Sequence, residues 1–142
     1  MRAKVLIAGF GIAFSGLANA SMTDVLTVNL VGPGGHSFRD YGYTNTIHAG
    51  ARAVAEIQKT IVDPNKYEIY GFNGGVSVNA IAGDAQFKVL LKANDKSELN
   101  TLKQQVISAV QKGVKAENDF RGVKTGSLTP DGASAEIQCT IK

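Results

Sequence analysis

Val25-Leu26-Thr27-Val28-Asn29-Leu30-Val31-Gly32-Pro33-Gly34-Gly35-His36-Ser37 is the stretch whose reading decides the fold. Its first seven residues are β-rich, with Leu26, Val28 and Leu30 on one face and Thr27 and Asn29 on the other, the alternation of a half-buried strand. The four residues from Gly32 to Gly35 break that strand. A polar loop then leads to Asn45, a residue suited to cap a helix N-terminus. From Thr46 to Val62, Ile47, Ala51, Val54, Ile57 and Ile61 recur at helical spacing, while Arg52, Glu56 and Lys59 lie elsewhere on the cylinder. Asp63-Pro64-Asn65 ends this first helix, because a proline disfavours helical geometry in the residue before it.

A second strand runs from Tyr67 to about Phe72, and Asn73-Gly74-Gly75 turns the chain toward Val76-Ser77-Val78-Asn79. In the third strand Ala85, Phe87, Val89 and Leu91 alternate with Gln86, Lys88 and Lys92, and Leu90 on the second face implies that this side is partly covered. A second helix begins near Lys96 with Leu99, Leu102, Val106, Val110 and Val114 on one stripe, and Gly113 is expected to fray its end. The closing strand, Ala133 to Lys142, puts Ala135, Ile137, Cys139 and Ile141 on one face, so Cys139 reads as a small core residue. The order predicts an α+β, ferredoxin-like two-layer sandwich (βαββαβ), a four-stranded antiparallel sheet with two helices on one face. That architecture serves many functions, so function has to come from particular residues.

Arg2 and Lys4 precede an uncharged apolar run from Val5 to Leu17, followed by Ala18-Asn19-Ala20. This reads as a signal peptide over 1–20 cleaved after Ala20, with an uncleaved anchor helix as the alternative. The remaining 21–142 form one domain, expected to be secreted or periplasmic and free of the membrane after cleavage. Of the 15 basic residues two lie in the leader, and all 12 acidic ones lie beyond it, so the net charge falls from +3 to +1. No Lys or Arg cluster remains to track a phosphate backbone, which argues against a nucleic-acid partner. Cys139 is the sole cysteine and cannot form an internal disulfide.

The glycines after the first strand do not make a phosphate loop, because the helix starts some ten residues later and neither a Gly-Lys-Ser/Thr ending nor G-x-G-x-x-G is present. Only two histidines and one cysteine are available for hydrolytic chemistry. His48, between Ile47 and Ala49, reads as a surface or packing residue, and nothing forms a metal pair with it. No strand-turn-helix context presents a serine as an activated nucleophile.

The continuous pattern of Gly32-Pro33-Gly34-Gly35-His36-Ser37, then Asn45 and a helix, then Gly74-Gly75-Val76-Ser77-Val78-Asn79-Ala80-Ile81 and a strand ending at Lys92 covers nearly all of 21–142. It resembles the dimerisation, or lid, domain of metallopeptidase family twenty, which includes aminoacylases, succinyl-diaminopimelate desuccinylase and glutamate carboxypeptidases. The resemblance implies a lid that is inserted in a catalytic domain holding two zinc ions and that pairs with a second lid through helix and edge-strand contacts. These residues match the lid alone, so zinc belongs only to a partner domain and no activity is expected from the chain by itself. His36 matches a histidine that reaches the partner subunit's active site, where an imidazole N–H stabilises a developing oxyanion. Asn79 matches a polar residue near the substrate's carboxylate or amide end. Lys92 falls where an arginine usually grips the carboxylate; lysine lacks that planar fork, and Ala82 replaces a usual proline, so the substrate-facing edge departs from the pattern.

Each residue also has a plainer reading: His36 as a solvated loop residue kept by ancestry, Asn79 as a turn residue, Lys92 as a solvated strand end. Two functions follow from the resemblance. One is a non-catalytic exported domain that forms a homodimer, with Leu90 and either the outer face of the first helix or an edge strand in the contact. The other is an accessory subunit that supplies His36 to a separately encoded zinc peptidase. A truncated relic is a third possibility.

Overall fold

Strand β1 (Met22–Val31) is the longest-paired element of the computed structural model, which describes residues 21–142; the leader read at 1–20 lies outside the described residues. It runs antiparallel to β5 (Asp84–Ala93) through ten consecutive pairs, from Met22 opposite Ala93 to Val31 opposite Asp84. Such an uninterrupted register follows from the alternation itself, since a one-residue slip would turn every apolar side chain to the wrong face. Leu26, Val28 and Leu30 of β1 and Ala85, Phe87, Val89, Leu91 and Ala93 of β5 are all buried on one side of the sheet. β3 (Tyr67–Gly74) flanks β5, and β6 (Gln138–Ile141) flanks β1, giving the order β3-β5-β1-β6 with every pair antiparallel. Helices α1 (Thr46–Thr60) and α2 (Lys96–Phe120) pack on the apolar face. This is the expected ferredoxin-like sandwich.

Capping sets the helix starts. Asn45 Oδ1 accepts from the Ile47 and His48 N–H groups, and Asp95 Oδ1 accepts from Glu98 N. Glu98 reaches back to Asn94 N at 2.6 Å, so two otherwise orphaned donors are satisfied at the second helix.

The expectation that Gly113 frays α2 is corrected: the helix continues seven residues further, to Phe120. A Cβ at Gly113 would lie 2.3 Å from Ala53 N and 2.4 Å from Ala53 Cα, so the glycine is there to let the backbones of α1 and α2 touch. The helix ends instead in a Schellman turn, with Val123 N donating to Asn118 O, Gly122 N to Asp119 O, and Gly122 at φ +68°.

The closing strand is also shorter than the alternation suggested, Gln138–Ile141 instead of Ala133–Lys142. Its partner stops at Val31, beyond which Gly32 N donates to Gly83 O and Pro33 has no N–H to offer. Ile137 is held by Asn118, whose side-chain amide accepts from Ile137 N and donates to Ile137 O. Cys139 follows, half-buried among the residues packed on the core, and desolvation pushes its thiol pKa up. Val76–Asn79 forms the turn that leads into the next strand, and two short strands not foreseen, β2 (Gly35–His36) and β4 (Ala80–Ile81), pair in a sheet of their own.

Candidate functional site

The β2–β4 pair brings together two of the three residues singled out from the sequence. His36 lies opposite Ala80, and Ser37 N donates to Asn79 O at 2.9 Å, so the His36 and Asn79 loops are clasped side by side. Asp40 builds the turn that presents His36: its Oδ2 accepts from His36 N at 2.7 Å, and its own N–H donates to His36 O. Arg39 grips the same carboxylate through Nε and Nη2, and that hydrogen-bonded guanidinium, followed by the His36 N–H, holds the Asp40 pKa below the usual range. The imidazole is exposed, and Nδ1 accepts from Phe38 N at 3.2 Å. A neutral ring that accepts at Nδ1 carries its proton on Nε2, leaving an N–H donor toward solvent.

Asn79 is exposed, with Oδ1 accepting from Ser77 Oγ at 2.7 Å. Around the two loops stand Phe38, Tyr41, Val76 and Val78, each at least 85% exposed. Ala82, at the usual proline position, is buried, and its carbonyl accepts from both Thr46 N and Thr46 Oγ1, tying β4 to the start of α1.

Lys92 is not part of this cluster. It sits eight residues along β5 from Asp84, roughly 27 Å at about 3.4 Å per residue. Its ammonium is 3.9 Å from Glu68 Oε2, on the open face of the sheet. Leu90 lies on that same face, half-buried opposite Val25 and Glu68.

One charged cluster was not read from the sequence. Glu117, fully buried, accepts from Arg52 Nε at 3.1 Å, Arg121 Nε at 3.2 Å and Asn45 N at 3.3 Å, with His48 Nδ1 3.8 Å away. Both guanidinium groups also lie over the Phe120 ring, each 5.0 Å from its centre. The signal was present: Val106, Val110, Gly113 and Glu117 continue one stripe at spacings of four, three and four residues. Reading Gly113 as the point where the helix frays left Glu117 in an end expected to be loose and hid a carboxylate on the buried face.

The model of the peptidase dimerisation domain matches residues 16–118. Among curated proteins no sequence matches this chain significantly. Among solved structures, an aminobenzoyl-glutamate utilization protein from Klebsiella pneumoniae superposes with a TM-score of 0.66 at 12% identity, over 87% of this chain and 28% of its own. A hydantoinase/carbamoylase family amidase from Burkholderia ambifaria gives 0.63 at 17% identity, over 86% and 27%. A tripeptidase from Staphylococcus aureus gives 0.60 at 13% identity, over 86% and 29%. At these identities the likeness is one of fold, and this chain spans less than a third of each of those proteins. With the family model covering most of the chain and the sheet order in agreement, the chain belongs to the peptidase dimerisation domain family of metallopeptidase family twenty.

Proposed function

We propose that this chain is a non-catalytic, exported dimerisation domain that pairs with a second copy of itself through β3 and the adjoining side of α1. The observation that carries the reading is a free sheet edge beside an uncharged helix stripe. β3 is an outer strand of the four-stranded sheet, so one side of its backbone has no strand partner among the described residues. Such an edge is a template for another strand, and two-fold pairing would join the two sheets. α1 lies over the β3 side, with Gly50 against Phe72 and Ile47 beside Gly75. On its flank away from α2, Ile47, Ala51, Val54 and Gln58 form a stripe without charge. The register shift between Tyr70 and Asn73 confines regular pairing to one half of the edge, which restricts open-ended association. Ala51→Arg tests the placement: a monomer with unchanged circular dichroism is expected, whereas a dimer that survives the charge rules this surface out.

A second reading is favoured by the exposed apolar ring around His36 and Asn79. Here the chain docks on a separately encoded zinc peptidase and supplies the His36 Nε2–H to its oxyanion. Hydrolysis would then appear only in the mixture, and activity unchanged by His36→Ala would sink it.

A further inference from the structure

We infer that the cavity between the Tyr41–Asn45 loop, β4 and the end of α2 is a binding site for a small organic carboxylate, with Arg121 and His48 as its recognition groups. The cavity measures about 220 Å³ and is bounded chiefly by Tyr41, Tyr43, Ala80, Ile81, His48 and Arg121. At roughly 30 Å³ per water it has room for about seven waters, the scale of a single-ring acid and not of a nucleotide. Its wall is mostly apolar and carries no Asp or Glu. This is the arrangement expected of a ligand site, an apolar body with a few convergent polar groups.

The donors come from unspent hydrogen-bonding capacity. The Arg121 side chain is only 19% exposed, yet of its five N–H groups only Nε–H meets a protein acceptor at ordinary distance, Glu117 Oε1. Nη2 makes one long contact, 3.5 Å to His48 Nδ1. If Nδ1 accepts there, the imidazole proton is on Nε2, so His48 keeps that N–H and Arg121 keeps its remaining Nη N–H groups for a ligand. Charge points the same way. Arg52 and Arg121 share the single carboxylate of Glu117, while the nearby Asp119 is engaged by Lys115, so the cluster retains one positive charge that a monoanion would neutralise. The helix terminus is not the donor, because the Ile47 and His48 N–H groups are already taken by Asn45. The inference is independent of the dimer and of the role given to His36.

The test is titration of the isotope-labelled chain with sodium benzoate, followed by amide chemical shifts, with neutral benzamide as the isosteric control. Saturable shifts confined to Asn45, His48, Ala80, Ile81 and Arg121 are expected with benzoate, at least tenfold weaker with benzamide. Arg121→Gln should weaken benzoate at least tenfold. Because Arg121 also pairs with Glu117, Tyr41→Ala on the exposed lip provides a variant that spares the cluster, and severalfold weaker binding is expected. Equal binding of benzoate and benzamide, shifts that do not saturate, or affinity indifferent to both substitutions would overturn the assignment.

Discussion

Replacing Gly113 by alanine tests how closely the two helices approach. In an exposed helix interior the change would stabilise by up to about 1 kcal/mol, because alanine loses less conformational freedom. Here the new methyl would stand 2.3 Å from Ala53 N and 2.8 Å from Arg52 C, against 3.4 Å or more for ordinary contact. Both neighbours are helix backbone, so relief requires α1 to retreat by about 1 Å as a body. Forcing one extra carbon into a packed core costs about 1–3 kcal/mol, and more where backbone must move. With about 3 kcal/mol set against the 1 gained, the net loss is about 2 kcal/mol. For a domain of this size that lowers Tm by roughly 6–10 °C. The assay is thermal and urea unfolding of Gly113→Ala beside Ser108→Ala, a control on the exposed side of the same helix that should be neutral or slightly stabilising. A Gly113→Ala chain as stable as its parent would mean that the helices do not touch there.

Glu117→Ala strands two guanidinium groups and a backbone N–H; breaking a buried pair costs about 3–5 kcal/mol, and since Arg52 is 39% exposed and can turn to water, about 2–3 kcal/mol is expected by denaturant unfolding, with Glu117→Gln milder. Asn45→Ala should cost about 1 kcal/mol, measured the same way, because its carbonyl oxygen caps two N–H groups; no loss would show that the cap is dispensable. Hydrogen bonding from Lys103, then from Val25 N, holds the Asp24 pKa below its ordinary 3.8, and Asn94 N, then Lys66, holds that of Glu98 below its ordinary 4.5. Depressed folded-state values give stability that is full above the ordinary range and is lost as pH falls through the folded values, so stability measured by urea unfolding should begin to decline below about pH 4.5 and Lys103→Met should flatten that acid limb; an unchanged slope would contradict the pairing.

Strict alternation made β1 and β5 legible, because a strand buried on one face must repeat every second residue. Helix starts were legible through Asn45 and the pattern after Lys96. The misread boundaries share a cause, a decisive partner distant in sequence. Gly113 looks like a breaker until Ala53 is set against it, and Ala133–Ile137 looks like a strand until Pro33 withholds its N–H. Of the candidate site, the clasp of the His36 and Asn79 loops rests on the two-residue β2–β4 pair, too short for any alternation to announce, and the Glu117 cluster depended on a helix that had to be read past its glycine. Lys92, at the other end of β5, shows that proximity in a motif is not proximity in space.

Light scattering of the chain from Ser21 onward, across a dilution series in reductant, bears most directly on the dimerisation reading. Reduction removes any crosslink through Cys139. A mass of twice the chain, persisting on dilution and halved by Ala51→Arg, is the predicted result; a monomer at every concentration would contradict self-association.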